Sequence, residues 1–306
     1  MGDKLRERAA LVALLRLPGT RWAEITFEVL EADSALAVLE RQLSGRDTLF
    51  PDEGRIESAL TEALEQLAAW ESAGITVCAF FDDRYPVQLR EIHQMPPLLF
   101  SRGHLIQEQR AIAVVGTRQA SERGLRMAAS IATELARSDV TVVSGLARGI
   151  DSAAHCAALA AGGRTVAVIG TGIERFYPPE NRPLQERIAQ EGLVVSQFWP
   201  DASPAKQNFP MRNAVMSGYA AATVVVEAPW KSGARIQARL ALEHGRPVIM
   251  PKELLVHDWA QEMAQKSGVH VVSSLQELLL IVETLIHALG VGPETLPEIP
   301  QVAWSR

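Results

Sequence analysis

The chain has 306 residues, 47% of them hydrophobic and 22% charged, with a net charge of −6. This composition is typical of a globular protein, and the length favours two domains. Two distant cysteines without a CxxC or His/Cys cluster offer no metal site and suit a reducing compartment. Without a signal peptide or an apolar run of about 20 residues, we expect a cytoplasmic protein that does not contact a membrane.

The charge is unevenly distributed along the chain. Residues 106–250 contain 16 Lys and Arg against 12 Asp and Glu, a local charge of +4, whereas residues 1–105 carry −6 and residues 251–306 carry −4. Because the local field attracts a polyanion, overall acidity does not exclude a nucleic-acid partner. Chance clustering on a solvated surface is the alternative.

Residues 1–72 are predicted to form an N-terminal helical domain. Leucines recur at spacings of three and four near residues 11–15 and 60–67, which indicates helices that bury one face. The break at Pro18-Gly19 is similar to that of DNA-binding helix pairs, but the acidic surroundings favour a packing or protein-binding module. Residues 73–105 follow as a linker and first strand.

Residues 106–290 alternate short apolar strands with helices, which predicts an α/β fold. Strands are expected at 111–115, 141–143, 165–169, 193–196, 222–227 and 247–250, and helices at 121–138, 152–161, 182–191, 211–220 and 233–243. This pattern specifies an extended Rossmann-like, doubly wound and mainly parallel sheet. The helix at 276–289 is expected to pack on the last strand or in a dimer contact. The tail at 291–306 is expected to be loosely ordered.

Several turns of small residues follow the predicted strands, where such sheets bind ligands. Small residues admit a ligand close to the backbone and leave N–H groups free at the next helix, which favours phosphate. The candidate DNA- or phosphate-binding residues are Gly116, Thr117, Arg118, Ser144, Gly145, Arg148, Lys206, Arg212, Asn213, Ser232, Gly233 and Arg235. Each turn alone could be an ordinary helix cap. The GxGxxG fingerprint is absent, so we expect no dinucleotide and no other cofactor.

Asp151 and His155 lie four residues apart and share a helical face. A hydrolase could combine them with the Ser144 hydroxyl, and a nucleotide-cleaving enzyme or sensor could also use Glu227. We favour a structural role, in which Asp151 caps a helix beginning at Ser152 and His155 helps to organise the loop. We therefore expect no catalytic residue.

The order and spacing of these motifs resemble the DNA-processing protein A (DprA/Smf) family over about residues 11–250. The matching pieces are Gly116-Thr117-Arg118, Ser144 to Asp151, Ala154-His155, Thr165 to Gly172, Tyr177-Pro178, Asn181, Phe209-Pro210, Arg212-Asn213, Glu227-Ala228 and Ser232-Gly233. The resemblance implies a non-enzymatic protein that binds and protects single-stranded DNA, loads a RecA-type recombinase and forms a homodimer. It also implies that Arg118 contacts a backbone phosphate.

The sequence departs from the family pattern at several positions. Ala214 stands where a second arginine is usual, Gln197 replaces a glutamate, and Met250-Pro251-Lys252 lacks the usual glycine. The region after residue 251 is short and acidic, and we expect no winged helix there. A nucleotide sensor or an accessory factor in defence against foreign DNA is therefore an alternative, as is a protein-binding role for the acidic N-terminal helices. Phe209, Tyr177 or Trp230 could stack on bases, although core packing is the ordinary role of such side chains.

Overall fold

The computed structural model describes residues 2–44 and 53–289. The chain divides into a smaller unit, up to Tyr85 together with Pro96–Phe100, and a larger unit made of Pro86–Met95 and the chain from Ser101 onward. The predicted tail at 291–306 lies outside the described residues.

The described part of the smaller unit is mainly helical, in agreement with the predicted fold class. Its elements are α1 (Gly2–Arg16), α2 (Trp22–Ala32), α3 (Ala35–Leu43), α4 (Glu53–Ser72), β1 (Thr76–Ala79) and the first half of β2 (Leu98–Gly103). Leucines at the predicted helical spacing are buried, including Leu11, Leu14 and Leu60. Arg8 adds a two-pronged ion pair to Asp82, with both distances at 3.0 Å, which ties α1 to the loop after β1.

In the described part of the larger unit, seven strands pair in parallel. They are β3 (Ala111–Val115), β4 (Thr141–Ser144), β5 (Thr165–Val168), β6 (Leu193–Ser196), β7 (Ala222–Val225), β8 (Val248–Pro251) and β9 (Val269–Val272), in the spatial order β6-β5-β4-β3-β7-β8-β9. Nearly every residue of β3 to β8 is buried, as expected for strands covered on both faces. The predicted doubly wound parallel sheet is confirmed.

Seven helices connect or cover these strands within the described residues. They are α5 (Glu122–Arg137), α6 (Ile150–Ala160), α7 (Arg182–Glu191), α8 (Asn208–Tyr219), α9 (Gly233–Glu243), α10 (Asp258–Ala264) and α11 (Leu275–Ala288). Helix α11 packs into the same apolar core as α5 and β9, with Leu278, Val282 and Ile286 fully or almost fully buried. None of the described helices is long and apolar enough to cross a membrane.

The predicted sheet ends at β8, and the structure adds α10 and β9. Strand β9 has four residues and is only partly buried over its first three. So short and half-exposed a strand at the edge of a sheet carries little of the apolar signal on which strand prediction depends.

The direction of strand addition reverses beside β3. The chain adds β4, β5 and β6 on one side of β3 and then returns to place β7 on the other side. The connections that follow β3 and β7 therefore diverge at the carboxyl edge of the sheet, where doubly wound folds open a crevice. This reversal positions the candidate site.

Candidate functional site

The turn after β3 supplies one side of the crevice. A Cβ atom on Gly116 would come within 2.4 Å of the Ile150 side chain, so only glycine fits. The Thr117 N–H donates to the Glu227 carbonyl over 2.7 Å, which joins this turn to the one after β7. Arg118 is exposed, and its guanidinium carbon lies 5.2 Å from the ring centre of Phe209.

The Glu227 carboxylate holds the beginning of α5. It accepts hydrogen bonds from the Ser121 hydroxyl at 2.7 Å and from the Ser121 N–H at 3.2 Å. The Ser121 hydroxyl in turn accepts from the N–H of Gly124. A Cβ atom on Gly124 would lie 1.8 Å from the carboxylate. Glu227 is thus engaged in fixing the turn, which is a structural use of this carboxylate.

The turn after β4 is held from inside the protein. The buried Ser144 hydroxyl donates to the Val114 carbonyl at 2.6 Å, which links two neighbouring strands. Gly149 has a φ of +77°, and a Cβ atom there would lie 2.4 Å from the Thr117 carbonyl oxygen. A Cβ atom on Gly145 would collide with the Arg212 guanidinium. The turn is therefore shaped by its packing against β3 and α8.

Asp151 belongs to the first turn of α6, which begins at Ile150 rather than at the predicted Ser152. The capping position predicted for Asp151 is wrong, because Gly149 occupies it. The Asp151 carboxylate instead accepts from the N–H groups of Gly145 at 3.2 Å and Ala147 at 3.4 Å. Burial raises the pKa of this carboxyl, while the nearby positive charge of Arg212 opposes the rise.

His155 faces a different partner. Its Nδ1 atom lies 2.7 Å from the Thr165 hydroxyl, and the side chain is fully buried. Burial, together with the charge of Arg212, lowers the pKa of His155 to about 3. A neutral histidine bonded to β5 and a carboxyl bonded to the β4–α6 turn do not form the acid–base pair that a hydrolase would need.

Helix α8 brings a buried arginine to the floor of the crevice. It begins at Asn208, three residues before the predicted start. Arg212 is 5% exposed and donates through Nη1 to the Val168 carbonyl at 3.1 Å. Burial lowers the pKa of its guanidinium, and Asp151 counteracts this. Its Nε atom has no hydrogen-bond partner among the described residues.

An aromatic group stands beside this arginine at the rim. The rings of Phe209 and Tyr177 have centres 5.6 Å apart, and Arg118 lies against Phe209. Phe209 is partly buried, and Tyr177 is 39% exposed. Their accessible surface lies next to cationic groups, a combination that suits nucleic-acid bases.

The turn after β7 supplies the other side. The Ser232 hydroxyl caps α9 by accepting from the Ala234 N–H at 3.2 Å. Gly233 follows at the first helical position. A Cβ atom there would meet nothing within 4 Å. Unlike Gly116, Gly145 and Gly149, this glycine is not required by packing within the protein.

These turns enclose a cleft of about 450 Å³. Of the candidate DNA-binding residues, the cleft brings together Gly116, Thr117, Arg118, Arg212, Asn213, Ser232 and Gly233. The others do not line it: Ser144 and Gly145 lie behind it, Arg148 is ion-paired with Glu180, Lys206 is exposed, and Arg235 stacks on Trp230. Lys231 also lines the cleft, and it was not among the predicted binding residues. Its position directly before Ser232, in the same turn, could have identified it.

Comparisons with known proteins agree on one family. The model of the family DNA recombination-mediator protein A matches residues 76–288. The chain is 40% identical over 205 residues to DNA processing protein DprA of Streptococcus pneumoniae, a match that covers 66% of this chain and 72% of the relative. It is 38% identical over 219 residues to protein Smf of Synechocystis, covering 69% of this chain and 53% of the relative.

Solved structures give the same result. The crystal structure of DprA from Streptococcus pneumoniae matches with a TM-score of 0.67 and 31% identity, covering 90% of this chain and 95% of that one. DNA processing protein A from Helicobacter pylori, a structure described for its single-stranded DNA binding mode, matches with a TM-score of 0.61 and 26% identity. That match covers 70% of this chain and 96% of the other.

Proposed function

Since the chain belongs to the DNA recombination-mediator protein A family, we propose that it binds single-stranded DNA in the cleft at the carboxyl edge of its parallel sheet. The observation that carries this proposal is the placement of Arg118 and Lys231 on the two sides of the cleft, above the buried Arg212. Among residues 2–44 and 53–289, no ion pair within 4 Å involves Arg118 or Lys231. Both charges are therefore available to phosphate.

In this proposal the strand backbone supplies most of the affinity. Arg118 and Lys231 neutralise consecutive phosphates, while the turns at Thr117 and Gly233 let backbone N–H groups approach them. Arg212, whose buried charge is partly balanced by the nearby Asp151, adds positive potential from below. Phe209 offers a stacking surface for a base, since every base has a π-face.

The remaining candidates take supporting roles. We propose that Ser144, Gly145, Asp151 and His155 hold the β4–α6 turn and Arg212 in place. Arg148 and Lys206 are proposed as outer contacts, with Arg148 exchanging its Glu180 partner for a phosphate. Such an exchange requires little energy, because an exposed ion pair contributes little to stability.

The test is a fluorescence-anisotropy titration of single- and double-stranded oligonucleotides over a salt series. We expect the single strand to bind more tightly than the double strand. The slope of log K against log salt should be about −0.7 for each phosphate that the protein neutralises. Arg118→Ala and Arg212→Ala should both weaken binding. No binding of the single strand, or unchanged binding in both variants, would overturn the proposal.

We also propose the finer properties of the family for this chain. It would act as a homodimer in the cytoplasm, protect single-stranded DNA, and deliver the strand to a RecA-type recombinase during DNA uptake or recombination. Light scattering tests the dimer, and loading of a recombinase onto DNA coated with a single-strand-binding protein tests delivery. Because Asp151 and His155 bond to different partners, we propose a binding role rather than nucleotide hydrolysis.

A further inference from the structure

A second pocket of about 440 Å³ lies at the beginning of α9, adjoining the cleft. Its lining includes two tryptophans and four cationic side chains, namely Trp230, Trp259, Lys231, Arg235, Arg239 and Lys266. Lys231, Ser232 and Ile236 line both the pocket and the cleft. A ligand that extends out of the cleft over the start of α9 therefore enters this pocket.

Trp230 is held in place although it is 59% exposed. The guanidinium carbon of Arg235 lies 3.9 Å from the centre of the Trp230 ring, and Arg235 also donates to the Trp230 carbonyl. The same guanidinium carbon lies 5.4 Å from the ring of Trp259, which is buried and donates to the Ala228 carbonyl at 3.1 Å. An indole fixed from one side and open to solvent over more than half its surface is ready for a planar ligand.

The charge of the pocket selects the kind of ligand. Lys231 and Lys266 have no carboxylate within 4 Å in the described part of the chain, whereas Arg239 pairs with Glu243 at 3.4 Å. One acidic side chain, Glu262, lines the pocket against these cations. Positive charge next to an accessible aromatic face suits a unit that is both anionic and flat, which describes a nucleotide.

We propose that this pocket is a second nucleotide subsite, in which a base stacks on Trp230 and Lys231 and Lys266 neutralise the adjoining phosphates. The proposal rests on the proposed binding of single-stranded DNA and extends its path from the rim at Arg118 across the start of α9. Arg235 is then a positioning residue that orients Trp230, instead of the direct phosphate contact that the sequence predicted.

Oligothymidylates of increasing length test the subsite with the full chain. Against the longest strand, Trp230→Ala should bind about tenfold more weakly than wild type, which corresponds to the loss of one stacked base. Against the shortest strand that wild type binds, the two should be equal, because that strand fills only the cleft. Trp230→Phe should retain most of the affinity, and Leu280→Ala is the control for truncating an exposed apolar side chain.

Two further measurements separate a lost subsite from a general defect. For the long strand, Lys266→Gln should make the slope of log K against log salt less steep by about 0.7. Lys252 lies outside both pockets, so Lys252→Gln should leave this slope unchanged. Quenching of tryptophan fluorescence by the long strand should shrink in Trp230→Phe. Equal affinities of wild type and Trp230→Ala at every length, or equal losses at every length, would overturn the subsite.

The outcomes distinguish this inference from the proposed function. If wild type binds no single strand of any length, the proposed function fails. Suppose that wild type binds, that Arg118→Ala weakens the binding of strands of every length, and that Trp230→Ala weakens the binding of none. Then only the second subsite fails.

Discussion

Two arginines of the larger unit lie over phenylalanine rings, but a carboxylate neutralises the charge of only one of them. The guanidinium carbon of Arg182 lies 4.7 Å from the Phe176 ring centre, and that of Arg118 lies 5.2 Å from Phe209. Arg182 also bonds to Glu186 at 2.8 Å, one turn along its own helix, while no described carboxylate lies within 4 Å of Arg118. The same cation–aromatic packing thus leaves one charge neutralised and the other available.

This difference extends to other arginines of the larger unit. On exposed helix faces Arg187 pairs with Glu191, Arg239 with Glu243, and Arg126 with Glu122. Such pairs cancel the charge locally and contribute little to the attraction of a polyanion. These pairs therefore add nothing to the +4 net charge of residues 106–250, whereas Arg118 and Lys231, which line the cleft, form no such pair among the described residues.

The largest effect should come from the buried charge of the cleft. Arg212→Met leaves Asp151 buried without its nearby cation, and we expect a loss of roughly 3 kcal/mol in the free energy of unfolding. Arg187→Met, which removes an exposed and paired arginine, should leave the unfolding free energy unchanged within error. Urea denaturation measures both variants.

A double variant shows whether charge is the cause. Combining Arg212→Met with Asp151→Asn removes the uncompensated carboxylate and should restore much of the stability, but not the DNA binding. If the double variant is as unstable as Arg212→Met alone, lost packing against Gly145 rather than charge explains the result.

A second effect of burial appears on acidification. The pKa of His155 is about 3 in the folded protein, against a usual value of 6.5. Between these values the unfolded chain binds a proton that the folded chain does not, so stability falls as pH falls. From about pH 7 to about pH 5, wild type should lose about 2 kcal/mol more than His155→Gln. Asp151, whose raised pKa acts in the opposite direction, is present in both proteins.

Equal pH dependence of the two proteins would contradict the buried neutral state of His155. An exposed histidine, by contrast, would titrate near its usual value in both the folded and the unfolded state and would leave the pH dependence of the unfolding free energy unchanged. The measurement is urea unfolding at each pH, with the difference between wild type and variant as the result.

The sequence predicted the sheet and its glycine turns because both are local signals. Continuous apolar strands and small residues before helices are visible without a structure, as at Gly116 and Ser232. Glu186, four residues after Arg182 in the same helix, is likewise a local signal for its ion pair, whereas the packing of Arg118 against Phe209 arises only in the folded chain. The burial of Arg212 and the bond of His155 to Thr165 also arise from tertiary packing.

The third test measures the available charge directly. Arg118→Gln should reduce the slope of log K against log salt by about 0.7, since one phosphate contact is lost. Arg182→Gln should leave the slope unchanged, because its charge is already cancelled. These two variants remove the same group from above the same kind of ring, so a difference between them reports the carboxylate partner. Equal slopes for the two would contradict the comparison.

The smallest effect concerns the glycine that packing does not require. Gly233→Ala places a methyl group where nothing lies within 4 Å, so the unfolding free energy should stay the same or rise by about 0.5 kcal/mol. DNA affinity should nevertheless fall a few-fold, because the methyl group stands between the start of α9 and an approaching phosphate. Gly116→Ala is the matched control: its Cβ would lie 2.4 Å from Ile150 and should cost about 1–3 kcal/mol of stability. If Gly233→Ala binds DNA as tightly as wild type, the strand does not approach the backbone of this turn, and the side chains of Arg118 and Lys231 must hold it alone.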